Sequence, residues 1–166
     1  MFKKLILIAF IVPFNCSSAS IIDIDNYWLQ TGFSLGSPFF GQTFDIKVQN
    51  TDVVYSLGVK TQDTSAPCIF NCADLIKNNE ITSISSIHAL GGYAINNKWF
   101  IESGLALVKT KVDYNYIYET AKIGIPIRIN KKHTYKYGGW NISLELLILE
   151  RKVAYSANLA LMFGKF

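Results

Sequence analysis

The sequence predicts an all-β fold, an eight-stranded antiparallel up-and-down transmembrane β-barrel. Three observations predict it. Over residues 121–130 the chain alternates without a break: Ala121, Ile123, Ile125, Ile127 and Ile129 on one side, Lys122, Gly124, Pro126, Arg128 and Asn130 on the other. Successive side chains leave a strand on opposite faces, so this is a strand pattern. The same period of two recurs down the chain, with no helical segment to cover the apolar side. Half the residues are apolar and 17% are charged, yet no run beyond the N-terminus reaches the roughly 20 residues that a spanning helix takes. Apolar faces left uncovered in this way suit lipid, with the polar faces turned to a lumen.

The N-terminus reads as a signal peptide: Lys3 and Lys4, an apolar run over 5–14, then Ser17, Ser18 and Ala19. Cleavage after Ala19 divides the chain into a leader, 1–19, and a barrel domain, 20–166. Cys16 offers a second reading as a lipidated cysteine, although Asn15 is larger than the residue that usually precedes one. The first strand is expected at 27–36, ended by the break around Pro38. The second follows at 43–49, then a tight turn at 50–52 and a third strand at 53–60. The irregular stretch 62–80 holds Cys68 and Cys72, which in an exported chain read as a short-loop disulfide. Strands are expected next at 81–95 and 99–109, joined at Asn96 and Asn97. The tyrosine-rich segment 111–118 reads as a loop suited to a membrane–water boundary. After the strand at 121–130 come a polar turn at 131–136 and the last two strands, 140–150 and 153–166. With a periplasmic N-terminus, the turns at 50–52, 96–97 and 131–136 face the periplasm and the cysteine loop faces outward.

The predicted lumen face carries Gln30, Asp45, Lys47, Ser56, Lys60, His88, Glu102, Lys122, Arg128, Glu145 and Asn158, with both signs on neighbouring strands. Counting back from position 115 puts Glu102 level with Arg128, and places Glu145 within reach of Lys122. The interior of an eight-stranded barrel is just wide enough for side chains to fill. The lumen is therefore expected to be a closed plug of ion pairs and hydrogen bonds, not a conduit. Nothing in the spacing calls for a metal or cofactor. Without Lys3 and Lys4 the basic residues fall from 16 to 14 against 12 acidic ones. That balance, scattered along the chain, argues against nucleic acid.

Two rival readings use the same residues. Ser86, His88 and Glu102 supply the side-chain types of a hydrolase, and Ser86 and His88 share a strand face. Such a site would make the barrel a lipid-modifying enzyme. The ordinary reading treats all three as lumen polar groups, since a working site also needs oxyanion donors and substrate access. The other rival is a soluble periplasmic barrel of lipocalin type, with its apolar faces inward.

The exported leader, the run KIGIPIRIN at 122–130 and the ending NLALMFGKF at 158–166 resemble the bacterial outer-membrane β-barrel domain family of small OmpA/OmpX-like proteins. The resemblance implies residence in the outer membrane and no enzymatic activity. It implies roles in envelope integrity or adhesion, and contact with outer-membrane lipids and the barrel-assembly machinery. It also implies that a terminal Phe166 serves as an assembly signal. Here Phe166 falls on the lumen parity unless a bulge at Gly164 shifts it. An extracellular ligand would engage the loops at 62–80 and 111–118.

Overall fold

The computed structural model describes residues 24–36, 40–63, 81–114, 116–150 and 153–166; the leader, Cys16, Cys68 and Cys72 lie outside them. Eight strands follow one another: β1 (Asn26–Gly36), β2 (Phe40–Asn50), β3 (Val53–Asp63), β4 (Ile81–Ala94), β5 (Trp99–Tyr114), β6 (Tyr116–Thr134), β7 (Gly138–Ile148) and β8 (Val153–Lys165). Each pairs antiparallel with the next, and β8 returns to β1, with Thr31 opposite Leu161. Closure leaves no strand edge unpaired, which a sheet in lipid requires.

The strands follow the alternating sequence closely, but β2, β3, β5 and β6 run several residues longer than the periodicity suggests. Residues 111–118 are not a loop. They continue β5 and β6 to a tip where Tyr114 faces Tyr116, because aromatic and β-branched residues favour paired strand over open loop. At the other end, 131–134 belong to β6, and the turn shrinks to 135–137. Pro126 leaves a mark in mid-strand. The β5–β6 ladder is interrupted between Ser103 opposite Ile127 and Ala106 opposite Gly124, and proline has no N–H to donate there. The β2–β3 turn sets Thr51 at φ 49°, in the left-handed region. Its N–H donates to Asp25 Oδ2 at 2.6 Å, and Gln49 Nε2 donates to its carbonyl at 2.7 Å.

The two faces divide as the parity demands. Leu29, Phe44, Ile46, Leu57, Leu105, Ile123, Leu144, Leu159 and Leu161 are exposed, Leu57 at 58% and Ile123 at 71%. Among the side chains described, the outward-facing strand charges are Asp63, Lys109 and Lys111 toward the loop-bearing end and Lys131 and Lys165 toward the turn-bearing end. Between them runs an uncharged apolar belt. A soluble lipocalin-type barrel would bury these residues, so that rival fails on the direction of the belt.

Inward, the barrel is layered. At the end that carries the short turns, Trp28, Val54, Ala94, Phe100 and Met162 form an apolar cluster, with Phe166 packed against it. At the opposite, loop-bearing end, Ile84, Ala106, Val108, Leu147, Leu149 and Ala154 form a second. The ion pairs lie between the two, while Gln49 and Lys132 are level with the first cluster and Gln62 and Thr110 with the second.

Candidate functional site

The middle layer holds three carboxylates, Asp45, Glu102 and Glu145, and three cations, Lys47, Lys60 and Arg128, all buried. They form two connected groups. In the first, Lys47 Nζ donates to both oxygens of Glu102, at 2.7 and 2.5 Å. Ser56 and Asn130 donate to the same carboxylate, Asn130 at 2.9 Å. In the second, Arg128 bridges two acids, donating through Nε to Glu145 and through Nη1 to Asp45 Oδ1 at 3.1 Å. Lys60 Nζ reaches Glu145 Oε1 at 2.8 Å and Ser156 Oγ at 2.5 Å. Asp45 also meets His88 Nε2 at 2.6 Å and accepts from Gln30 Nε2 at 2.7 Å. Buried charges are tolerable only when paired and hydrogen-bonded in this way.

Local sequence explains one contact that looks out of reach. Asp45 on β2 and His88 on β4 are separated by β3, and both lie opposite Gly58. A Cβ at Gly58 would run into Asp45 Oδ1 and His88 Nε2. The glycine leaves the opening through which the two side chains meet.

Two expected pairings are replaced. Glu102 does lie opposite Arg128 in register, but its ion pair crosses the lumen to Lys47. Glu145 faces Arg128 rather than Lys122. Lys122 lies opposite Val108, half-buried near the loop end and outside the network. The cause is strand stagger, which lifts Lys122 above the polar layer while Arg128, six residues on, falls within it. The network also includes Asn130 and Ser156, and next to it stands Lys132, which sequence reading left in a turn. Lys132 Nζ donates to Gln49 Oε1 at 2.9 Å and sits 4.7 Å from the Trp28 ring centre. Its signal was the even parity of Arg128 and Asn130 carried two residues further.

Ser86, His88 and Glu102 are not assembled as a triad. Ser86 lies opposite Val108, His88 opposite Ala106 and Glu102 opposite Gly92. His88 and Glu102 are thus four positions apart along their strands, roughly 13 Å at about 3.3 Å per residue. His88 is held by Asp45, and Glu102 by Lys47. Phe166 keeps the lumen parity. The β8–β1 register runs unbroken past Gly164, opposite Trp28, and the Phe166 ring lies 5.9 Å from that of Trp28.

A filled, charge-paired lumen inside an uncharged apolar belt is an inside-out barrel. The fold is that of the small outer-membrane barrels. No protein-family model matches the chain, and no curated protein matches it in sequence. Solved outer-membrane barrels match it in structure. The N-terminal β-barrel domain of Pseudomonas aeruginosa OprF superposes with a TM-score of 0.61 at 11% identity, over 85% of this chain and 98% of that one. Neisserial surface protein A gives 0.55 at 11% identity, over 85% and 96%. Ail, the attachment invasion locus protein of Yersinia pestis, solved with the heparin analogue sucrose octasulfate, gives 0.53 at 12% identity, over 85% and 98%. At these identities the outer-membrane-barrel likeness is one of fold.

Proposed function

We propose that this protein is a structural or surface-interaction barrel of the bacterial outer membrane, closed to solutes, with its short turns toward the periplasm. One observation carries the reading: two apolar clusters and a charge-paired polar layer fill the interior among the described residues, while the apolar belt lies outside. Such a molecule offers surfaces rather than a passage. Its partners are outer-membrane lipids along the belt and the barrel-assembly machinery, with Phe166 as the assembly signal. An extracellular ligand engages the loop-bearing end, through 62–80 and the hairpin tip at 111–118. An adhesive role at that end is supported by the likeness to Ail. A role in envelope integrity is supported by the filled lumen. The separation of Ser86, His88 and Glu102 removes the support for a hydrolase built on them.

Expression in a Gram-negative host, fractionation and planar-bilayer recording test the proposal. The protein is expected in the outer-membrane fraction with heat-modifiable gel mobility, and the reconstituted barrel should add no steady conductance to the bare bilayer. Recovery from the aqueous periplasm, or a stable ohmic pore, would overturn it.

A further inference from the structure

The turn-bearing end of the barrel is electrically lopsided. On the β5–β8 side it exposes Lys98, Lys131, Lys136 and Lys165, and no acidic side chain is exposed among the described residues there. The acids at this end, Asp25 and Asp52, lie by β1 and the β2–β3 turn, where Asp25 accepts from the Thr51 N–H. The four lysines fall into two pairs. The Lys132 N–H donates to the Lys98 carbonyl at 2.7 Å, which sets Lys98 beside Lys131. The Gly164 N–H reaches the Tyr137 carbonyl at 3.5 Å, which sets the Lys136 turn beside Lys165.

Aromatic rings stand among these cations. Lys131 Nζ lies 5.3 Å from the Trp99 ring centre, and Lys136 Nζ lies 5.0 Å from that of Tyr137. Between the lysine pairs, His133 stacks on Trp140 at 5.4 Å and meets Tyr135 edge-on at 5.0 Å. None of the four lysines has a carboxylate partner among the described residues. On the outward face the apolar belt begins at once, with Ile101 beside Trp99, Ile129 beside Lys131 and Ile142 beside Trp140.

We propose that this face of β5–β8 binds the headgroups of anionic phospholipids. The lysines supply charge and N–H donors for the phosphate, the rings occupy the headgroup level, and the isoleucines receive the acyl chains. Charge complementarity selects the occupant: a zwitterionic headgroup carries its own cation and gains little from four more. The inference rests on the membrane residence proposed above and adds which lipid the barrel gathers around one side.

Two of the three tryptophans lie on this face, Trp99 and Trp140, while Trp28 is sealed in the lumen. Lipids brominated near the ester therefore report occupancy by quenching. The full chain is reconstituted in vesicles of phosphatidylcholine with either brominated phosphatidylglycerol or brominated phosphatidylcholine, at physiological salt. The brominated phosphatidylglycerol is expected to be preferred about fivefold or more, since each basic residue near a surface contributes about that factor. The preference should fall to near unity in the Lys98→Gln, Lys131→Gln, Lys136→Gln, Lys165→Gln variant and persist in Lys109→Gln at the other end. Equal quenching by the two lipids in the native chain overturns the inference and leaves membrane residence standing. So does a preference that survives the quadruple substitution. Quenching by neither lipid overturns both readings. The native comparison decides even where the quadruple variant does not fold.

Discussion

Glu102 shows how the lumen is held at the scale of one residue. Its carboxylate is fully buried and takes hydrogen bonds from Lys47, Ser56 and Asn130. Removing it strands the Lys47 ammonium in a dry interior. Glu102→Ala should therefore cost about 3–5 kcal/mol, whereas Lys47→Met with Glu102→Leu should recover most of that loss. Urea unfolding from lipid vesicles measures both; a single variant within about 0.5 kcal/mol of the native chain would show that the pair is not sealed from water. Parity and spacing placed Glu102 in the lumen, level with Arg128. Its actual partner is 55 residues away, across the barrel, and nothing local in the sequence points to it.

At the scale of the element, β3 works partly through what it lacks. Gly58 lies in one row with Asp45 and His88, and its missing side chain joins β2 to β4. Gly58→Ala should cost about 1–3 kcal/mol by overpacking. Gly91→Ala, whose Cβ would meet nothing within 4 Å, should change stability by less than about 0.5 kcal/mol. The midpoint of heat-modifiable gel mobility ranks the two, and equal midpoints would contradict the row. In the sequence Gly58 is legible only as a gap in the polar face. Pro126 is a comparable case: the alternation around it is unbroken, so the lost N–H appears only as an interruption in the β5–β6 ladder.

For the molecule as a whole, the decisive property is which solvent the apolar face meets. Leu57 lies on the outward face, opposite Ile46 and Ala89 and away from the charged strand ends. Leu57→Lys should destabilise the lipid-inserted barrel by about 2–4 kcal/mol, the cost of a lysine near the bilayer midplane. Lys122→Gln, at the half-buried mouth, should stay within about 0.5 kcal/mol. Folding titrations into vesicles compare them, and a reversed order would invert the assignment of the faces. The two apolar layers of the lumen are also a property of the whole. Trp28, Phe100, Val108 and Leu147 all stood on the polar parity in sequence, but only closure stacks them into separate seals above and below the ion pairs.

The sequence by itself determined the eight strands and the two faces of each, because a period of two is a local property that survives any later arrangement. That the apolar face points outward was decided only in the closed barrel. Tertiary structure alone decided that Lys47 meets Glu102, that Arg128 joins Asp45 to Glu145, and that Lys122 stands aside. Those partners depend on how far each strand is staggered against the next when the sheet closes, and stagger is fixed by the whole ring of strands at once.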